Sequence, residues 1–83
     1  MYAIHMKIDR GQKRPRSQYI ANCNTREEAR RFIIHHMNEA YASAMRQIGL
    51  VDRKSEENGD TFVLRIIPAL IFEKPITITY EIK

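Results

Sequence analysis

Apolar and polar positions alternate at both ends of the chain. Tyr2, Ile4, Met6 and Ile8 are interleaved with Ala3, His5, Lys7 and Asp9, and Ile76, Ile78, Tyr80 and Ile82 with Thr77, Thr79, Glu81 and Lys83. A period of two is that of a strand with one face on a core. A weaker strand is predicted over Ser17 to Cys23, with Tyr19, Ala21 and Cys23 on one face, and another over Thr61 to Ile67, with Phe62, Leu64 and Ile66 on one face. Between the first two strands, Arg10-Gly11-Gln12-Lys13-Arg14-Pro15-Arg16 has no apolar residue except its proline and reads as an exposed hairpin loop.

The period changes after Asn24. Thr25-Arg26-Glu27-Glu28 is a capping box, in which the Thr25 hydroxyl accepts from the Glu28 N–H and the Glu28 carboxylate reaches back to the Thr25 N–H. A helix should follow to Gln47 or Ile48, stopped by Gly49 at positive φ. Its inner stripe is Ala29, Ile33, Met37, Ala40 and Ala44, flanked by Phe32 and His36. Asp52 to Asp60 is polar and ends in Asn58-Gly59-Asp60, which reads as a flexible connection or turn. Pro68 interrupts the strand that follows. Ala69 to Phe72 fits either a bulged continuation or a packed loop, and Glu73-Lys74-Pro75 turns the chain.

The resulting order is β-β-α-β-β, an α+β two-layer sandwich with one amphipathic helix on a four-stranded, mainly antiparallel sheet. The sheet face away from the helix should carry His5, Lys7, Gln18, Asn22, Arg65, Thr77, Thr79 and Glu81. At 83 residues the expectation is a single domain over 1–83. The longest apolar run, Ala69 to Phe72, is far short of the roughly 20 residues of a membrane span. No secretory leader pattern opens the chain, and a lone Cys23 permits no internal disulfide, so a reducing, cytoplasmic setting is expected.

Charge changes the picture through its placement. Residues 1–31 hold 8 Lys/Arg against 3 acids, whereas residues 32–83 hold 6 against 7, so the net +4 resides in the first third. Lys7, Arg10, Lys13, Arg14 and Arg16 fall within ten positions, and Arg26, Arg30 and Arg31 at the helix start extend the set. Such a cluster suits phosphates or another anionic partner. No aromatic nucleic-acid motif, GXXG loop or zinc pattern accompanies it.

The residues able to carry catalysis have structural explanations. His35 and His36 point about 100° apart on a helix and miss the usual ligand spacing, so no metal is expected. His35 can instead meet Glu39 one turn later, and His36 should be packed and hydrogen-bonded. Cys23 with a histidine could form a nucleophile and base, but it reads more simply as a small buried hydrophobe. Glu56-Glu57-Asn58-Gly59-Asp60 lacks the ligand spacing of a calcium loop, and Gly11, Gly49 and Gly59 are isolated, so no cofactor is expected either. Ile34, Tyr41 and Met45 on a second helix flank, with Leu70, Ile71 and Phe72, form surplus apolar surface that suits a protein interface.

The expected function is a non-enzymatic binding module whose basic hairpin arm contacts nucleic acid or a nucleoprotein. The alternative is a protein–protein inhibitor or adaptor, of the compact kind often encoded by phages and mobile elements, that acts on a host protein complex; the surplus apolar surface also suits a homodimer. A small enzyme is the third reading.

Overall fold

The computed structural model describes residues 1–11, 13–49, 51–69 and 74–83. The elements are β1 (Tyr2–Asp9), β2 (Ser17–Cys23), α1 (Arg26–Ile48), β3 (Val51–Asn58), β4 (Thr61–Pro68) and β5 (Ile76–Ile82). The five strands form one sheet in the order β2-β1-β5-β4-β3, with every neighbouring pair antiparallel. The helix packs on one face, so the α+β two-layer arrangement holds.

The four-strand count is corrected by β3. The stretch read as a flexible connection pairs along its length with β4, from Val51 opposite Pro68 to Asn58 opposite Thr61. Gly59, at φ 62, and Asp60 form the two-residue turn between them. A glycine first in such a turn supplies the positive φ that matches strand twist. Alternation fails in β3 because it is an edge strand with little core beneath it. Its charges also guard the edge against pairing with another chain.

A bulge in β2 gives the second correction. Ile4 pairs with Ala21 but His5 pairs with Tyr19, leaving Ile20 as the extra residue. Beyond that point every β2 side chain changes face relative to a regular strand. Ala21 and Cys23 pack on the core as expected, whereas Tyr19 lies on the open face beside His5, with ring centroids 5.8 Å apart. Gln18, expected on the open face, pairs with Met6 and lies on the helix side.

The core is Ile4 and Met6 from β1, Phe62, Leu64 and Ile66 from β4, and Ile78, Tyr80 and Ile82 from β5, beneath Ala29, Ile33, Met37 and Ala44 of the helix. Full burial of one large apolar side chain contributes about 1.5–3 kcal/mol, so this layer supplies most of the stabilisation. The helix begins as its sequence specifies. Glu28 N–H donates to Thr25 Oγ1 at 3.1 Å, while the Glu28 carboxylate accepts from the N–H of Asn24, one residue before the expected donor. It ends at Gly49, whose φ of 95 disfavours a side chain and whose N–H donates to the Met45 carbonyl.

Tyr80 is fully buried, and its hydroxyl lies 2.6 Å from His36 Nδ1, to which it donates when the imidazole proton is on Nε2. Both polar tips of the central core are thereby paired, as expected for His36. Burial pushes the Tyr80 phenol from 10.0 to about 12. Above pH 10 the unfolded chain releases this proton first, so unfolding is favoured as pH climbs. Stability from this group is intact below pH 10 and falls by about 2–3 kcal/mol on approach to pH 12, at 1.36 kcal/mol per pKa unit. Denaturant midpoints measured across that window should drop more steeply for the native chain than for Tyr80→Phe. Parallel curves would rule the assignment out.

Candidate nucleic-acid interface

The antiparallel register assigns each loop to one end of the molecule. Lys7 pairs with Ser17, Asp9 with Thr77, Val51 with Pro68 and Ile66 with Ile76, so the basic hairpin loop, the start of β3 and the start of β5 share one end. The helix starts at the other end, after Cys23, which pairs with Tyr2. It then runs antiparallel to β3. Arg26 meets Asp60, Arg30 meets Glu57, Asn38 meets Arg53, and Tyr41 meets Val51 in succession.

This geometry divides the cations that the sequence grouped together. Arg26 donates to Asp60 at 2.7 Å and to the Gly59 carbonyl at 2.8 Å. Arg30 donates from two nitrogens to the Glu57 carboxylate, and that hydrogen bond holds Glu57 below its usual value. Arg31 lies 3.6 Å from Glu27 one turn earlier. These three arginines are matched by carboxylates at the end opposite the arm, so they do not extend its patch.

The arm itself stays basic. Lys7, Arg10, Lys13, Arg14 and Arg16 are exposed, and Asp9 is the one acid between residues 7 and 16. Asp9 is engaged locally, accepting from the Gly11 N–H at 2.9 Å. That contact and the Gly11 φ of 93 turn the chain out of β1. Among the described residues Lys13, Arg14 and Arg16 make no ion pair. Arg10, Arg14 and Arg16 line one recess of about 280 Å³ with Met6, Ile8 and Gln18.

Beside the arm, the open face presents Tyr19, 55% exposed, edge-on to His5. Lys7 shares that face two residues further along β1, and Arg65 sits opposite Thr77 nearby. Sequence reading missed the Tyr19–His5 pair because the bulge that creates it leaves no mark in the apolar pattern.

The expected apolar flank is partly covered. The Tyr41 hydroxyl donates to the Val51 carbonyl at 3.3 Å, and the Arg53 guanidinium lies 5.4 Å from the Tyr41 ring centroid. Ile34 lines a recess of about 260 Å³ with Met37, Arg53 and Phe62, while Met45 is 48% exposed. Leu70, Ile71 and Phe72 lie outside the described residues. Cys23, His5 and His36 are not brought together. Cys23 is at the far end of β2, His5 faces away from the helix, and His36 packs between helix and sheet. His35 meets Glu39 at 3.9 Å on the surface, as its spacing suggested. Among the described residues no group of three or more His, Cys, Asp or Glu is placed to hold a metal ion, and no helix is long and apolar enough to cross a membrane.

Comparison with protein-family models, with curated proteins and with solved structures finds no match to this chain.

Because Lys13, Arg14 and Arg16 hold no part of the fold together, replacing all three with serine should change unfolding free energy by no more than about 0.5 kcal/mol. Urea denaturation of the triple variant checks this. A loss of several kcal/mol would mean that the arm is a structural element.

Proposed function

We propose that this chain is a non-enzymatic binding module that holds single-stranded nucleic acid, free or within a nucleoprotein, on its basic hairpin arm and the adjoining open sheet face. The observation that carries the reading is the arm's charge. Five cations against one acid over residues 7–16 equal the net +4 of the whole chain, while Arg26, Arg30 and Arg31 are matched elsewhere. Phosphates favour such a site because their condensed counterions are released on binding. Tyr19 and His5 favour a single strand, since exposed rings on a sheet stack with unpaired bases whose sequence matters little. A duplex offers no free base faces to that pair.

The test is fluorescence anisotropy with a labelled single-stranded oligonucleotide and the matching duplex over a salt series. Binding should weaken with salt, with a log–log slope of about −0.7 per phosphate engaged. Lys13→Ser/Arg14→Ser/Arg16→Ser should flatten that slope by about 2. Tyr19→Ala should cost about 1–3 kcal/mol, the typical loss for one stacked base, with the slope unchanged. Arg26→Ala/Arg30→Ala should bind like the native chain. Absence of binding at low salt, or equal binding by the triple variant, removes the proposal, and a preference for duplex removes its single-strand part.

A further inference from the structure

A second recess adjoins the arm on the helix side of the sheet. It is a cavity of about 550 Å³ between the C-terminal half of α1 and strands β1, β4 and β5. That volume falls within the range of small-molecule sites. Met6 and Ile8 of β1, Ile66 of β4, Ile78 of β5, and Ala40 and Ala44 of the helix give it aliphatic wall, while Ser43 and Gln47 of the helix give it a polar edge. The two alanines account for the space, because longer side chains at these core-facing positions would fill it. Arg10 and Lys74 also line the cavity, and the Lys74 chain passes close to Gly11. Met6, Ile8 and Arg10 border the smaller recess as well, where Arg14 and Arg16 converge. The larger recess, or chamber, and the arginine-lined vestibule therefore adjoin along Met6, Ile8 and Arg10.

We propose that this two-part recess binds a free anionic amphiphile, an aliphatic chain ending in a carboxylate. The tail lies in the chamber and the head group meets Arg14 and Arg16. Arg10 already has an interaction of its own, so head-group recognition is assigned to the other two. An aliphatic body is favoured over a nucleobase by the lining. His36 is the one ring facing the chamber among the described residues, and it is already engaged by Phe32 and Tyr80. Arginine pairs with a carboxylate through two parallel hydrogen bonds, which gives the vestibule its selectivity for the anion. The inference shares Arg14 and Arg16 with the nucleic-acid reading but rests on the recess behind them rather than on the open face.

Isothermal titration of the full chain with hexanoate, octanoate and decanoate, each below its micelle concentration, tests it. Affinity should rise about fourfold per added methylene, the equivalent of about 0.8 kcal/mol per buried CH₂. Arg14→Ala/Arg16→Ala should weaken decanoate at least about tenfold and leave decanol unchanged, as expected for lost hydrogen bonds to a charged group. Ala40→Phe should abolish the gain from the longest tail; if that variant does not fold, Ser43→Phe on the same wall serves. Phosphatidylglycerol vesicles should not compete with decanoate, because chains held in a bilayer do not reach the chamber. Lack of saturation, affinity independent of chain length, equal binding of decanol and decanoate, or competition by vesicles each overturns the assignment. Failure of oligonucleotide binding leaves it intact.

Discussion

Pairing of the first strand with the last is the constraint on which the rest of this structure depends. Without it the chain holds two separate antiparallel units, β1–β2 and β3–β4–β5. The β1–β5 ladder sets Ile4 opposite Ile82, Met6 opposite Tyr80 and Ile8 opposite Ile78, at the centre of the sheet. Ala3 and Lys83 exchange backbone hydrogen bonds of 3.0 and 2.8 Å at its end. These contacts close a loop of nearly the whole chain, whose entropic cost must be offset by burial. The burial is supplied at that same seam, because Ile4 and Tyr80 are both fully buried beneath the helix. Seam and core therefore depend on each other, with Phe62, Leu64 and Ile66 of β4 extending the same buried layer.

The same pairing fixes where charge can go. With β1 and β5 central, β2 and β3 become the two edges, and the helix must cross from one to the other. It leaves β2 at the end away from the hairpin loop, so its arginine-rich first turns arrive over the β3–β4 turn. There Glu57 and Asp60 are waiting, and the cations are neutralised in pairs. Exposed pairs of this kind add little stability. Their consequence is electrostatic, because among the described residues they leave the hairpin arm as a concentrated excess of positive charge. Sequence proximity suggested a patch running from Lys7 to Arg31, and topology cut it after Arg16.

Much of the fold was legible in the residues. The alternation of β1, β4 and β5, the Thr25 capping box and the Gly49 stop each reflect a local rule that the tertiary structure did not override. Two features were not legible, for different reasons. The β3 strand, Val-Asp-Arg-Lys-Ser-Glu-Glu-Asn, is made by hydrogen bonding to β4 at an edge with little burial, so nothing apolar records it. The β2 bulge is one extra residue, Ile20, that is itself apolar and packs against the core, so the pattern of types around it looks regular. That single insertion exchanged Tyr19 and Gln18 between faces. It moved an aromatic ring into the candidate interface and a polar amide toward the recess. The basic arm was legible as a cluster, whereas the partners that subtract Arg26 and Arg30 from it lie 34 and 27 residues away in sequence, and Arg31 meets Glu27 only one helical turn away.

The small residues of the helix connect the fold to the second recess. Ala29, Ala40 and Ala44 let a helix approach a sheet, and near Ala29 the approach is complete, with Ile33 and Phe62 filling the interface. In the C-terminal half Ala40 remains only partly covered, and the recess lies beneath it. The recess is open to solvent on one side, so its aliphatic walls are met there by water instead of by side chains. An aliphatic occupant would displace that water, and the adjoining recess holds Arg14 and Arg16, where an anionic head can stay solvated and paired. The arm thus borders two surfaces of different chemistry, an aromatic open face and an aliphatic recess. The β1–β2 hairpin supplies both, because the side chains of one strand alternate between them.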